Sequence, residues 1–435
     1  MPAETQDEGA LELVAQCLCQ AQKFTAEIPR SAVPLDAIYC HCTSCRRVTG
    51  ALYSTYVPWP GDAAAVRDSS LRRYAFAETI STFFCGVCGS AMFSESRTAD
   101  GNGDRSLSYG VQTGVLTNVA VPGLINIAHH IFLDDTLDGG ASPWLCDTNN
   151  DGSRPRLWRG HRGQGEELSS TTHYWPTPAA APTPTPGSKT GDATTAAARE
   201  EQQQQIPVRC HCGGVDLLLR QPIDAFAAQE EEGERSGSGS TLPWFVDPVS
   251  HKLLGGFDAC DSCRLSSGSD LFHWTFALLR HLAFPITTSS TSDSNTRPSS
   301  QPRFPASSVE LKHAVASVDR DPRLGTLTFY ASSPDVQRYF CSRCSATVFY
   351  AADDRAEMLD LAIGLLDCKD GSRAESLISW DFGGKVGWKQ DVVGGWREGF
   401  VESVEAAAER WRIERGYPKN WRRIQKEAQA QEKVE

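Results

Sequence analysis

The chemistry of this sequence lies in six short cysteine clusters. Each cluster is a C-x-C or C-x-x-C pair or a C-H-C-x-x-C run, and the set occurs twice in the same order. The clusters are Cys17/Cys19, Cys40/Cys42/Cys45 and Cys85/Cys88, followed by Cys210/Cys212, Cys260/Cys263 and Cys341/Cys344. Two thiolates from one tight turn can take adjacent corners of a tetrahedral metal ion. The repeat therefore predicts two related metal-binding modules in tandem.

Disulfide bonds are the alternative role for paired cysteines. The first sixteen residues carry acidic side chains and lack the basic start and apolar run of a secretory signal. We therefore expect a cytoplasmic location, with the nucleus as the alternative, where clustered cysteines usually bind metal or do redox chemistry. Of the 15 cysteines, Cys146 and Cys368 lie outside the clusters, and we expect them to be ordinary thiols.

Zinc is the metal that these clusters favour. Soft thiolates without a redox partner motif suit zinc better than magnesium, calcium or manganese. Iron is the alternative, because a rubredoxin-like mononuclear site also uses two C-x-x-C pairs.

The cysteines of the first module predict one closed and one open site. Seven cysteines are one too few for two sites of four thiolates each. We predict a closed structural site formed by Cys17, Cys19, Cys85 and Cys88. The turn that holds Cys40, Cys42 and Cys45 then supplies three ligands and leaves a fourth position open, which is the usual form of a catalytic zinc.

The second module keeps the order of the clusters but changes the open site. The four cysteines of its closed site are Cys210, Cys212, Cys341 and Cys344. In its open site, Asp258 stands where the first module has Cys40, ahead of Cys260 and Cys263. A carboxylate suits zinc less well than a thiolate. We therefore predict three firmly bound zinc ions, with a fourth bound weakly or not at all.

Composition limits the remaining functions. The chain has 435 residues, of which 40% are hydrophobic, so it can build conventional cores in two or three domains. Its formal charge is -12 and no run of Lys and Arg follows a phosphate backbone, which argues against nucleic acid as a partner. No stretch approaches the roughly 18 to 20 apolar residues of a membrane span, so we expect no membrane association.

Short segments rich in β-branched and aromatic residues, closely punctuated by Gly and Pro, predict a mainly β first module over 11–158. A short helical turn is expected after Cys45. Residues 176–205 contain Pro-Thr-Pro repeats and a polyglutamine tract, a composition that cannot bury enough apolar surface to fold. This segment is predicted to be a disordered linker.

The second module is predicted over 206–400. Two polar inserts, 230–240 and 287–308, lengthen its connections and are expected to be loops. Beyond it, 401–435 should form a helical tail: apolar residues at helical spacing predict a helix over Val401–Arg415, followed by a second short helix. We expect this tail to pack on the second module.

Two histidines and two arginines near the clusters could each act on the metal site or have a structural role. His41 and His211 lie between cluster cysteines, and we expect their side chains to point away from the metal. Arg46 and Arg47 follow Cys45. They either bind a substrate carboxylate or neutralise the anionic cluster, and the sequence does not separate these roles.

A family resemblance rests on these clusters. The run C-H-C-x-x-C-R-R-x-T-G over Cys40–Gly50 follows a C-x-C pair and precedes F-C-G-V-C-G-S over Phe84–Ser90. This series resembles the glutathione-dependent formaldehyde-activating enzyme family, which includes centromere protein V. His130–Phe132 followed by Trp144 is also similar to the later part of that domain. The second module resembles the family less well, because the R-R-x-T-G run becomes Arg264–Gly268 without its second arginine.

The resemblance implies a fold and an activity. The fold would be two tandem zinc-bound domains of the Mss4-like kind, built of coiled β-sheets. The activity would be that of a carbon–sulfur lyase, joining formaldehyde to glutathione as S-hydroxymethylglutathione. A small-molecule thiol could be held as thiolate at the open site of Cys40, Cys42 and Cys45, which would make these the catalytic residues. The alternative is a non-catalytic zinc scaffold that binds a protein partner.

Overall fold

The computed structural model of the chain describes residues 9–99, 105–169, 175, 205–220, 222–236, 242–285 and 303–432. These residues are mainly β, with strands in both the N-terminal half (9–169) and the C-terminal half (205–432), as the sequence predicts. Of the predicted linker 176–205, only Gln205 is described. No helix among the described residues is long and apolar enough to span a membrane.

The described residues of the N-terminal half form eleven strands and three α-helices. The strands are β1 (Ala10–Gln16), β2 (Lys23–Pro29), β3 (Leu35–Cys40), β4 (Ser54–Pro58), β5 (Arg72–Ala75), β6 (Ile80–Phe84), β7 (Ala91–Ala99), β8 (Arg105–Gln112), β9 (Ile125–Ile131), β10 (Arg156–Trp158) and β11 (Glu167–Leu168). The helices are α1 (Thr43–Thr49), α2 (Ala63–Arg67) and α3 (Ser142–Leu145). β1 and β2 form a hairpin, and the other strands form one sheet in the order β11-β10-β9-β3-β4-β8-β7-β6-β5.

The C-terminal half contains ten strands and five α-helices in its described ranges. The strands are β12 (Gln205–Arg209), β13 (Asp216–Arg220), β14 (Leu253–Asp258), β15 (Phe272–Leu278), β16 (Leu282–Ala283), β17 (Leu327–Ser333), β18 (Val336–Cys341), β19 (Thr347–Ala352), β20 (Met358–Ala362) and β21 (Ile378–Trp380). The helices are α4 (Pro222–Ser236), α5 (Asp261–Ser267), α6 (Ser308–Ala316), α7 (Trp396–Glu414) and α8 (Trp421–Glu432). The sheet orders are β12-β13-β16 and β17-β18-β19-β20-β15-β14-β21.

The same arrangement, a turn that carries metal ligands followed by a short helix, comes after β3 and β14. Each strand ends at a three-ligand cluster, and the chain then enters a seven-residue helix, α1 or α5. Both helices end at a left-handed glycine, Gly50 with φ +80° and Gly268 with φ +78°, a conformation that costs glycine little. The turn around each cluster is therefore fixed by a strand on one side and a capped helix on the other.

The two halves meet backbone to backbone at these glycines. The N–H of Gly364 donates to the carbonyl of Gly50 at 3.0 Å, and the N–H of Gly114 donates to the carbonyl of Gly268 at 2.9 Å. A Cβ added at Gly50 would overlap the carbonyl oxygen of Thr347. The contacts are reciprocal, since each half uses the glycine after its cluster helix. Only glycine permits so close an approach.

A buried ion pair lies at the same junction. The Arg397 Nε donates to Asp270 Oδ1 at 2.9 Å, and neither side chain is exposed to solvent. Arg397 also donates to the carbonyl of Thr113, whose hydroxyl donates to Asp270. The junction therefore joins α7 and the loop after α5 to the N-terminal half.

Several segments differ from the sequence-based expectation. Residues 230–236, expected in a loop, lie in α4, because the preceding Ala and Glu residues are strong helix formers. The second insert, 287–308, is described only from Arg303, and α6 begins at its last residue. α7 begins at Trp396, five residues before the predicted helix.

α7 contacts both halves. The Val386 N–H of the C-terminal half donates to Glu405 on α7, and α7 also packs against α3 of the N-terminal half. Its buried face carries Trp396, Phe400, Val401, Val404 and Trp411. This helix therefore belongs to the shared core rather than to a separate tail.

Candidate metal centres and the adjacent cavity

The first closed cluster brings together the four cysteines that the spacing groups. Cys17 and Cys19 follow β1, Cys85 and Cys88 follow β6, and their sulfur atoms all lie within 4.8 Å of one another. The distances from the Cys19 sulfur to those of Cys17 and Cys85 are 3.5 and 3.6 Å. These are close to the ~3.8 Å edge of a tetrahedron with zinc–sulfur bonds of about 2.3 Å. The four thiols therefore fit a tetrahedral ion.

The C-terminal half repeats this arrangement. Cys210 and Cys212 follow β12, Cys341 and Cys344 lie at and beyond the end of β18, and their sulfur atoms are again within 4.8 Å of one another. The sulfur–sulfur distances from Cys212 to Cys210 and Cys341 are 3.6 and 3.4 Å. All 15 cysteines of the chain are free thiols. A set of four thiolates suits zinc or iron.

The third cluster is the three-cysteine turn between β3 and α1. The sulfur atoms of Cys40, Cys42 and Cys45 lie within 4.8 Å of one another, and the Cys45 N–H donates to the Cys42 sulfur at 3.3 Å. The Cys40 and Cys45 thiols also donate to Cys42 and lower the pKa of its thiol to about 3. The turn therefore favours thiolate at Cys42, the protonation state that a metal requires.

Apolar side chains surround this cluster. Cys40 packs with Ile131 and Trp158 in a small buried group, against which Ile38 and Phe132 also pack. Such a surrounding lowers the local dielectric and strengthens any interaction of a ligand with the cluster.

The fourth cluster lies between β14 and α5. Ligand atoms of Asp258, Cys260 and Cys263 are within 4.8 Å of one another. The Asp258 Oδ1 accepts the N–H of Cys260 at 2.8 Å, and burial raises the pKa of its carboxyl. An arginine that sequence reasoning missed also reaches this cluster, because Arg338 Nη1 donates to the Cys263 sulfur at 3.6 Å. The sequence gives no signal for this contact, because Arg338 precedes the C-x-x-C pair of another cluster and lies 75 residues from Cys263.

Neither histidine beside a cluster joins a metal group, in agreement with the sequence-based expectation. His41 Nε2 lies 2.7 Å from His130 Nδ1 in the core, where burial lowers the pKa of His130 to about 3. His211 Nδ1 lies 2.7 Å from the Tyr74 hydroxyl, and its ring stacks on Phe76. Both imidazoles therefore pack against the protein rather than against the cysteines.

The two arginines after Cys45 have different environments. Arg46 is buried, and its guanidinium donates to the carbonyls of His41 and Asp135 at 3.3 and 3.2 Å. Arg47 is partly exposed and forms a salt bridge of 2.9 Å with Asp367 of the other half. Arg46 therefore fixes the backbone around the cluster, and Arg47 lies at the junction of the halves.

A cavity of about 390 Å³ lies beside α1, between the two halves. Its lining includes residues from each half: Thr43, Arg46, Arg47 and Asp135 from the N-terminal half, and Asp367 and Cys368 from the C-terminal half. Thr43 directly follows Cys42. The cavity therefore adjoins the turn that carries the three-cysteine cluster and presents both cationic and anionic groups.

Comparison with known proteins identifies one family. The sequence model of the glutathione-dependent formaldehyde-activating enzyme family matches residues 12–135, which include the first closed cluster and the three-cysteine cluster. Comparisons with curated proteins and with solved structures give no match. Residues 12–135, a little over a quarter of the chain, are therefore similar to the glutathione-dependent formaldehyde-activating enzyme family.

Proposed function

We propose that this protein is a zinc-dependent carbon–sulfur lyase acting on a glutathione adduct of formaldehyde or a similar aldehyde. The observation that carries the proposal is the three-cysteine cluster of Cys40, Cys42 and Cys45, which lies inside the range that matches the family. Three protein ligands leave one tetrahedral position for an external ligand, as in catalytic zinc sites.

The cysteines of the cluster would hold the ion through three thiolates. A bound zinc ion supplies stabilisation of a thiolate at neutral pH and so makes an external thiol nucleophilic. In the reaction, the sulfur forms a bond to the formaldehyde carbon as the carbonyl π bond opens, and the thiol proton ends on the new hydroxyl oxygen. The apolar side chains of Ile131 and Trp158 would limit water around the reacting sulfur.

The cavity beside α1 is the proposed site for the peptide part of the thiol. Glutathione carries two carboxylates and one ammonium group, and the cavity offers Arg47 together with Asp135 and Asp367. Its volume of about 390 Å³ lies within the range of about 300–1,000 Å³ that is usual for small-molecule sites. The second half would then contribute to binding although the reacting cluster lies in the first.

Exchange between formaldehyde and glutathione tests the proposal. We expect the zinc-loaded full chain to accelerate this exchange above the rate in buffer, as measured by NMR exchange spectroscopy. Cys42→Ser should abolish the acceleration, whereas Cys146→Ser, which lies outside every cluster, should leave it unchanged. Arg47→Ala should raise KM for glutathione more than it lowers kcat. A rate equal to that in buffer with a full zinc load would favour a non-catalytic scaffold.

A further inference from the structure

The sheet face beside the three-cysteine cluster carries small side chains. Thr82 on β6 pairs with Ser94 on β7, which pairs with Gly110 on β8. A Cβ added at Gly110 would lie 3.0 Å from the ring of Tyr56 and 3.1 Å from the Ser94 hydroxyl. Tyr56 lies on β4, which pairs with β3, the strand that ends at Cys40. This row of small residues therefore leads across the sheet to the cluster.

The equivalent row in the C-terminal half carries large and charged side chains. Arg338 on β18 pairs with Tyr350 on β19, which pairs with Asp360 on β20. The correspondence follows from the sequence, because Thr82 and Arg338 both stand three residues before a C-x-x-C pair. Ser94 and Tyr350 likewise both stand six residues after one.

Arg338 is held over the second three-ligand cluster. Its guanidinium lies 5.0 Å from the centre of the Tyr350 ring, and Arg355 stacks on the same ring at 5.1 Å. Arg355 is fixed in turn by Asp360, whose Oδ1 accepts its Nη1 at 2.8 Å. From this position Arg338 donates to the Cys263 sulfur at 3.6 Å.

The guanidinium of Arg338 is suited to block the open position of the cluster without binding a metal. It has five N–H donors and no lone pair for a metal, so it cannot itself act as a ligand. It can donate to a thiolate and balance its charge. A guanidinium is not deprotonated in proteins. The group therefore stays cationic beside three potentially anionic ligands.

We propose that Arg338 closes the second three-ligand cluster by occupying the place of an external thiol. The cluster of Asp258, Cys260 and Cys263 then binds no external thiol, and thiol binding is confined to the N-terminal half. This inference rests on the proposed function for the meaning of the open position, but it concerns a different half of the chain.

Cobalt substitution tests the inference without an activity assay. The full chain is loaded with excess Co²⁺, so that weak sites also fill, and titrated with glutathione while the cobalt–thiolate absorption is followed. We expect one thiol equivalent for the native chain and two for Arg338→Thr, which introduces the residue found in the equivalent row. Arg303→Thr is the control, because Arg303 is largely exposed and lies near Glu310 on α6, and it should retain one equivalent.

The outcomes separate the two proposals. An Arg338→Thr chain that binds no more thiol than the native chain overturns the inference. A native chain that binds none, with one equivalent in Arg338→Thr, contradicts the proposed function and supports the closing role. If Arg338→Thr does not fold, Thr82→Arg decides, because it places an arginine at the equivalent position of the N-terminal half. Retention of the thiol equivalent in Thr82→Arg, at unchanged cobalt content, then counts against the inference.

Discussion

The two halves share their closed clusters and differ at their three-ligand clusters. In both halves four thiols come together from the same two turns. At the other position, the N-terminal half has Cys40 in a three-cysteine cluster, whereas the C-terminal half has Asp258 in a cluster that Arg338 contacts through Cys263. The retained clusters tie distant strands together, which both halves need for stability. Under the proposed function, the altered cluster would confine thiol chemistry to the N-terminal half.

The largest expected effect is loss of either closed cluster. Structural zinc contributes about 10–16 kcal/mol of apparent binding free energy, which exceeds the net stability of about 5–15 kcal/mol of most proteins. Cys88→Ser and Cys344→Ser should therefore both unfold or precipitate the chain, as measured by zinc content and circular dichroism. A folded Cys88→Ser chain with unchanged metal content would show that the four-cysteine grouping is wrong.

The second effect concerns the junction, where the halves differ at one buried position. Asp270 stands where the N-terminal half has Leu52, since each lies two residues beyond the glycine after its cluster helix. Asp270→Leu would leave Arg397 charged and unpaired in the core, at a cost of about 3–5 kcal/mol. Urea unfolding should record this loss.

A double variant sharpens this test. Replacement of a whole buried pair by apolar residues is often neutral, so adding Arg397→Met should recover much of the stability. Asp68→Ala, which breaks an exposed pair with Arg67, is the control and should cost no more than about 1 kcal/mol. Equal stability of Asp270→Leu and the native chain would mean that this pair does not hold the halves together.

The third effect tests where the activity resides. Cys42→Ser removes a ligand from the three-cysteine cluster of the N-terminal half. Cys260→Ser removes the equivalent ligand from the three-ligand cluster of the C-terminal half. Loss of a residue that merely supports a metal ligand lowers metal affinity or activity roughly 10–100-fold. Loss of the ligand itself in Cys42→Ser should therefore lower the exchange rate by about a hundredfold or more. Cys260→Ser should leave it within about twofold of native. The reverse result would move the active site to the C-terminal half.

The smallest effect is a pH dependence present in one half only. Burial raises the pKa of Asp360 to about 6, above its ordinary value of 3.8, although Arg355 opposes the shift. The folded chain therefore keeps this proton between the two values whereas the unfolded chain releases it, so stability falls as pH rises through that window. The loss should be about 2–3 kcal/mol.

The variant Asp360→Asn measures the pH-dependent contribution of this carboxyl to the free energy of unfolding. Gly110 occupies the equivalent place in the N-terminal half, so no matching titration is expected there. The difference in unfolding free energy between the native chain and Asp360→Asn should change between pH 4 and 7 and be constant above it. A difference independent of pH would show that Asp360 is ionised in the folded chain throughout.

Spacing along the chain predicts the clusters because a tight turn fixes its own cysteines. The mainly β character follows from such local patterns. The grouping of Cys17 and Cys19 with Cys85 and Cys88 follows from assigning the three cysteines of one turn to a separate site. Arg338 and the Asp270–Arg397 pair could not be found this way. Each depends on a side chain crossing strands or halves, and 127 residues separate Asp270 from Arg397.

The helix α4 illustrates a different error. Its Glu230–Ser236 stretch combines helix formers with Gly233 and Ser236, and the polar composition favours a loop interpretation. The preceding Ala225, Ala227 and Ala228 supply helix propensity that the boundaries of the insert left out. The helix crosses the start of the insert, so the composition of the insert alone does not predict it.

The reciprocal glycine contacts have a consequence for how the two halves can differ. Two copies of one subunit around a two-fold axis would make the same pair of contacts, and every substitution in such a homodimer appears on both sides. Here Gly50 and Gly268 belong to one chain. A single chain can therefore keep three thiols at one position and place a carboxylate and a guanidinium at the other. The two halves of a single chain also cannot dissociate on dilution. The C-terminal half therefore always lines the cavity beside the three-cysteine cluster of the N-terminal half.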